Sequence, residues 1–179
     1  MKKILLITLS IVSITVSAQR YKTTESNVKF YSSAPVEDIE AVNTNVTSII
    51  DTETKAVVFV VPMTSFEFEK SLMQEHFNEN YLESEKYPKA IFKGKIIDWN
   101  GEMGESKATV EGELDLHGIK KNVSMEGTID YQTDKMEVNS VFMIKLEDYK
   151  IKIPKAVFYN IAEEVEVTVK FEYASYEKN

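Results

Sequence analysis

The sequence predicts a mainly β protein: an antiparallel barrel of about eight strands with one amphipathic helix near the barrel mouth. Three observations carry that expectation. From residue 106 onward apolar and polar residues alternate with unusual regularity. One segment, 66–82, changes to a three- and four-residue apolar spacing, and no linker, repeat or charge block divides the chain after its first eighteen residues. Period two marks a strand with one dry and one wet face, whereas spacing near 3.6 marks a helix.

Residues 1–18 stand apart. Lys2 and Lys3 precede an apolar run from Ile4 to Val16, and Val16-Ser17-Ala18 is a small-residue cleavage site, the pattern of a secretory signal peptide. Thirteen apolar residues are short for a bilayer span. The expected organisation is therefore a signal peptide, 1–18, followed by a single barrel domain, 19–179, that is periplasmic or secreted after cleavage near Ala18.

Along that domain, Val28 to Ser32 reads as the first strand and Lys55 to Val61 as a more continuously apolar one. In 66–82, Phe68, Leu72, Met73, His76 and Phe77 recur at helical spacing, with Thr64 or Ser65 as N-cap and Pro88 beyond the end. Lys89 to Asp98 is the next strand, closed by the turn-rich loop Trp99 to Gly104. In Ser106 to Leu116, Ala108, Val110, Gly112, Leu114 and Leu116 share one face, against Lys107, Thr109, Glu111, Glu113 and Asp115 on the other. Gly118 to Lys121 reads as a hairpin turn into a strand whose dry face holds Val123, Met125, Gly127, Ile129 and Tyr131. A strand through Met136, Phe142 and Leu146 follows, then an irregular connection, Ile151 to Asn160, containing Pro154. The last strand places Val165, Val167, Val169, Phe171 and Tyr173 inward. All six glycines fall between 94 and 127, so the earlier strands turn by other means. Seven or eight strands is the number that closes a small barrel.

Composition narrows function. The chain has 179 residues, 43% hydrophobic and 28% charged, enough to bury a real core or an internal cavity. With 21 basic and 29 acidic residues the net charge is -8, and loss of Lys2 and Lys3 with the signal leaves 19 against 29, or -10. That balance argues against nucleic acid and against an anionic membrane surface as partners. The absence of cysteine excludes a thiol nucleophile, a cysteine metal site and N-terminal lipidation.

Catalytic chemistry finds little support. The chain contains no His-Glu-x-x-His, no Gly-x-Ser-x-Gly and no phosphate-binding glycine loop. His76 has Glu79 on the same helical face, but one pair is too few ligands for a metal. His117, at a strand's end, reads as a turn-stabilising hydrogen-bonding group. No catalytic residue, metal or cofactor is expected. What stands out is apolar: an inward set of Val, Ile, Leu, Phe and Met on successive strands. A barrel of this size either fills its interior with side chains or holds one hydrophobic ligand, and periodicity alone leaves both open. The small inward positions Ala108, Gly112 and Gly127 favour open space.

Leu114-Asp115-Leu116-His117-Gly118-Ile119-Lys120-Lys121-Asn122-Val123 resembles the Leu-x-x-His-Gly-x-x-Lys-x-Val hairpin of the YceI-like family. Tyr81-Leu82, Lys86-Tyr87-Pro88 with Phe92, and Leu146 to Ile151 with Asp148-Tyr149, are similar to two further family segments, so the resemblance spans about residues 64–173. Phe30 to Pro35 departs from it, lacking the family's opening His and glycines. The resemblance implies a secreted bacterial protein with a lipocalin-like barrel and a polyisoprenoid or isoprenoid-quinone chain inside.

The leading functional expectation is thus non-catalytic binding or transport of such a lipid, with Phe59, Phe92, Val110, Leu114, Met125, Ile129, Phe142 and Phe171 as contacts. A solid-cored secreted adaptor or stress-related module binding another protein is the alternative. An outer-membrane barrel, which also alternates with period two, would need its apolar face outside and a terminal aromatic, and the chain ends in Glu177-Lys178-Asn179. The protein is not expected to be an integral membrane protein, and its oligomeric state is not encoded legibly.

Overall fold

The computed structural model describes residues 19–153 and 161–176. The expected signal peptide, and the connection from Pro154 to Asn160, lie outside the described residues. Ten strands occur among the described residues: β1 (Arg20–Ser32), β2 (Ile39–Asn43), β3 (Thr47–Asp51), β4 (Ala56–Pro62), β5 (Glu67–Phe68), β6 (Lys89–Ile96), β7 (Gly104–Leu116), β8 (Ile119–Tyr131), β9 (Lys135–Lys145) and β10 (Glu164–Tyr176). Eight of them close a barrel in the order β1-β3-β4-β6-β7-β8-β9-β10, and β10 returns to β1 over most of its length. Every pairing is antiparallel, as hairpin-linked alternating strands require.

β2 and β3 share one place in the wall. β3 pairs with the start of β1, Arg20–Lys22, and β2 with its end, Val28–Ser32. The break between them is stitched by side chains. Ser26 Oγ donates to Thr44 O and accepts from the Val46 amide, and the fully buried Asn43 donates from Nδ2 to Pro62 O at 2.8 Å. Buried polar groups in a strand are tolerated only with such partners. These two short strands have no glycine turn between them, which is why alternation and turn residues did not reveal them.

One barrel end is shut by aromatic rings. Tyr131 meets Tyr21 and Trp99 edge-on, at 5.7 and 5.3 Å between centroids, and Tyr21 Oη donates to Thr133 O at 2.8 Å. Lys55 Nζ lies 4.3 Å from the centre of the Trp99 ring, a cation–π contact. At the opposite end the chain leaves the wall after β4 and covers the mouth.

That cover holds the one expected helix near the mouth and shortens it from 66–82 to 71–81. β5 occupies Glu67–Phe68 and pairs with β2, an α-helix α1 spans Ser71–His76, and a π-helical turn, Phe77–Tyr81, ends the segment. Phe66 and Phe68 are two residues apart, and together with Phe30 and Phe77 they form one cluster with centroids 5.0–5.6 Å apart. Burial of both rings by period two overrode the helical spacing. Neither Thr64 nor Ser65 caps α1; the N-cap is Lys70, without a side-chain capping bond.

Two further expectations change. The β7–β8 turn is the two residues His117 and Gly118, both at positive φ (53° and 71°), the type I′ requirement, so β8 begins at Ile119 and not after Lys121. Gly112 does not open space, whereas Gly127, like Ala108, borders a cavity in the barrel interior. A Cβ on Gly112 would lie 2.3 Å from Lys93 O, and on Gly127 2.3 Å from Asn139 O, so these glycines let adjacent strands approach closely.

Candidate ligand-binding cavity

The inward faces of the strands leave an apolar interior in two chambers. The larger, about 150 Å³, lies under the mouth and is lined from every barrel strand but β3 and β8, including Val28, Phe59, Leu114, Phe142 and Val167, with Met73 and Phe77 from the cover. The smaller, about 60 Å³, lies deeper, among Ile50, Val110, Met125, Ile129 and Phe171. Phe59, Phe142 and Val169 border both, so the chambers meet end to end at a waist along the barrel axis. The core is therefore not solid. An apolar cavity of about the larger chamber's size stays dry and accepts hydrocarbon guests.

Seven of the eight contact residues expected from sequence line these chambers: Phe59, Val110, Leu114, Met125, Ile129, Phe142 and Phe171. Phe92 does not. It is completely buried behind Phe59, with the two rings stacked at 4.9 Å, and holds that ring in place. The sequence reading missed the mouth: Phe66, Phe68, Met73, Phe77 and Tyr81 from the cover, and Ile151 and Ile161 on either side of the last connection. The Phe-x-Phe pair was the available signal for β5.

Three hydroxyls near this interior are engaged. Ser32 Oγ accepts from the Ala162 amide at 2.9 Å, and Tyr173 Oη donates to Ser48 Oγ, which donates in turn to Val58 O. Burial pushes the Tyr173 phenol's pKa upward, partly offset by the Ser48 bond, and burial raises Tyr81 at the mouth as well. Both stay neutral at ordinary pH, so neither phenol offers a guest a charge.

Neither histidine lines the chambers. His76 ends α1. His117 Nδ1–H donates to Tyr149 O at 2.9 Å, its Nε2 lies 3.0 Å from Glu83 Oε2, and its ring packs edge-on against Tyr87 at 4.6 Å. It clamps the hairpin to the segment after the cover and to the 3-10 turn Leu146–Tyr149. Among the described residues there is no group of three metal-ligating side chains, and no helix is long and apolar enough to cross a membrane.

Comparison with known proteins agrees with this architecture. A polyisoprenoid-binding domain from Saccharophagus degradans, implicated in plant cell wall breakdown, superposes with a TM-score of 0.75 at 17% identity, covering 87% of this chain and 98% of that one. BcnA of Burkholderia cenocepacia gives 0.70 at 17% identity over 82% and 95%. The YceI protein of Campylobacter jejuni gives 0.59 at 16% over 99% and 100%. These likenesses show a common fold. A UPF0312 protein of Pseudomonas putida is 30% identical over 83 residues, 43% of this chain and 42% of that relative, so the match spans less than half of its length. The model of the YceI-like domain matches residues 19–173, almost the whole described barrel, and on that ground the chain belongs to the YceI-like family.

Proposed function

We propose that the protein binds a long apolar chain, an isoprenoid or comparable lipid, in its barrel and carries it unchanged through the periplasm or the cell exterior, after removal of residues 1–18. The observation that supports this most is the two-chamber interior, predominantly apolar and running lengthwise beneath mouth side chains such as Met73 and Leu146. The polyisoprenoid binding named for the Saccharophagus domain points the same way. Phe59, Val110, Leu114, Met125, Ile129, Phe142 and Phe171 are the proposed contacts. Among the described residues there is no metal-ligating cluster and neither histidine lines the chambers, which supports binding as the role over catalysis.

Binding of this kind is driven by apolar burial, about 25 cal/mol per Å² removed from water. Loose chemical specificity and strong length dependence follow. Native mass spectrometry of the purified protein should show a co-purified lipid. In a series of n-alkyl alcohols, affinity should rise about fourfold per added methylene until the chambers fill, since each buried methylene contributes about 0.8 kcal/mol. A preparation without lipid that also ignores prenyl alcohols and this series would sink the reading.

A further inference from the structure

We propose that the seam between β8 and β9 is a lateral door through which the apolar chain enters and leaves the barrel. This rests on the reading of the interior as a lipid site. β7 and β8 are paired along their whole length, and β9 pairs with β10 as far as Lys145. Between β8 and β9, however, only Gly127–Tyr131 and Met136–Ser140 are joined. Beyond that zip, among the described residues, Ile119–Glu126 and Val141–Lys145 face each other without strand pairing. At the limit of the zip a side chain stands in for a backbone rung, as Ser140 Oγ donates to Glu126 O at 2.6 Å. Near the mouth the two sides are fastened again by Lys121 to Asp148 and by His117 to Tyr149 O. The result is a slit closed at both ends.

The β9 lip has the wrong chemistry for an ordinary wet wall, while the β8 lip keeps polar Lys120, Asn122, Ser124 and Glu126 outward. Outward positions of β9 read Glu137, Asn139, Val141, Met143, Lys145, so polarity lapses only where pairing lapses. Val141 is 58% exposed and Met143 54%, while Phe142 and Ile144 between and beside them line the large chamber. One edge thus offers apolar side chains to solvent and to the cavity alike. The smaller chamber borders the zipped part of the same seam through Thr128, Ile129, Val138 and Asn139, and touches the unpaired stretch of β8 at Met125 and Glu126. The mouth, by contrast, is obstructed by the four-phenyl cluster. Separating unpaired edges breaks no ladder hydrogen bonds, so opening the slit costs less than lifting that cluster.

The test closes the slit covalently. Continuing the register of the zip sets Ser124 opposite Met143. The S124C/M143C protein, joined by oxidation or by a short bis-maleimide, is compared with its reduced form for uptake and release of all-trans-retinol, followed by retinol fluorescence. Association and dissociation rates should fall together by at least tenfold in the joined form and recover on reduction of the disulfide. As an independent variant, Val141→Lys/Met143→Lys should slow both rates by a common factor of several-fold, because a charged lip opposes passage of an apolar chain. Wild-type rates in the joined protein, or in the lysine variant should the cysteines fail to join, overturn the door; a lip that served only to dock another protein would give that result. Failure of the unmodified protein to take up retinol or any prenyl alcohol would instead count against the proposed function itself.

Discussion

At His117 and Gly118 the backbone is left-handed twice in succession, and Gly118 sits where a Cβ would lie 2.5 Å from Tyr87 Cε1. Gly118→Ala therefore combines a strained φ with a ring clash and should destabilise the protein by about 1–3 kcal/mol in urea unfolding. Gly104→Ala is the control: its φ is also positive (96°), yet nothing lies within 4 Å of the added carbon, so it should cost clearly less. At this scale the sequence was partly legible. A His-Gly pair between two alternating runs marked the hairpin, but Glu83 and Tyr149, the partners of His117, are 34 and 32 residues away, beyond any local pattern. Gly112 was misread for a related reason. A missing side chain looks the same in sequence whether it leaves room or lets a neighbouring strand approach, and only its pairing with Gly94 across β6 and β7 decides.

Between β4 and β6 the chain spends twenty-six residues on a cover that is strand, α-helix and π-turn in turn. What holds it is Phe77, buried and in contact with the rings of Phe30, Phe66 and Phe68. Phe77→Ala should cost about 3–5 kcal/mol in stability, measured by urea unfolding, because the β5 and β2 side of the cluster is fixed and cannot collapse into the gap. The long strands β7, β8 and β10 were readable because each has one wet face that enforces alternation. The helix of the cover was readable but its start was not, because the segment from Phe66 satisfies a helical period and a strand period at once, and the contest is settled by Phe30, on a strand that the chain has left more than thirty residues earlier. The split between β2 and β3 was hidden for want of a glycine or proline to announce it.

For the barrel as a whole, closure places phenols where they cannot ionise freely. Burial raises the pKa of Tyr21, reinforced by its neighbour Tyr131, and burial likewise raises that of Tyr173. A folded-state pKa above the unfolded one, near 10, means a stabilising contribution that is complete below about pH 10 and is lost as pH rises toward the folded value. Stability should fall steadily above pH 10, and in a 295 nm titration Tyr21→Phe and Tyr173→Phe should each remove signal only from the late phase that accompanies unfolding. Loss of signal near pH 10 in the folded protein would contradict that placement. The barrel class, its strand number and most of its lining were readable at this scale, since one inward parity runs through strand after strand. The two chambers and the waist were not, because they depend on how Phe59, Phe142 and Val169 meet across the barrel.

The dry interior inside an acidic shell, net charge -8 for the full chain, has a consequence for dilution. A detergent micelle also offers hydrocarbon inside a charged surface, but it disperses below a threshold concentration. Here the strands supply a shell held by hydrogen bonds that close on themselves, so each molecule is a droplet of fixed capacity however few copies are present. Such a droplet keeps its solvent power at scarcity, and mutual repulsion between acidic surfaces keeps one droplet from merging with the next.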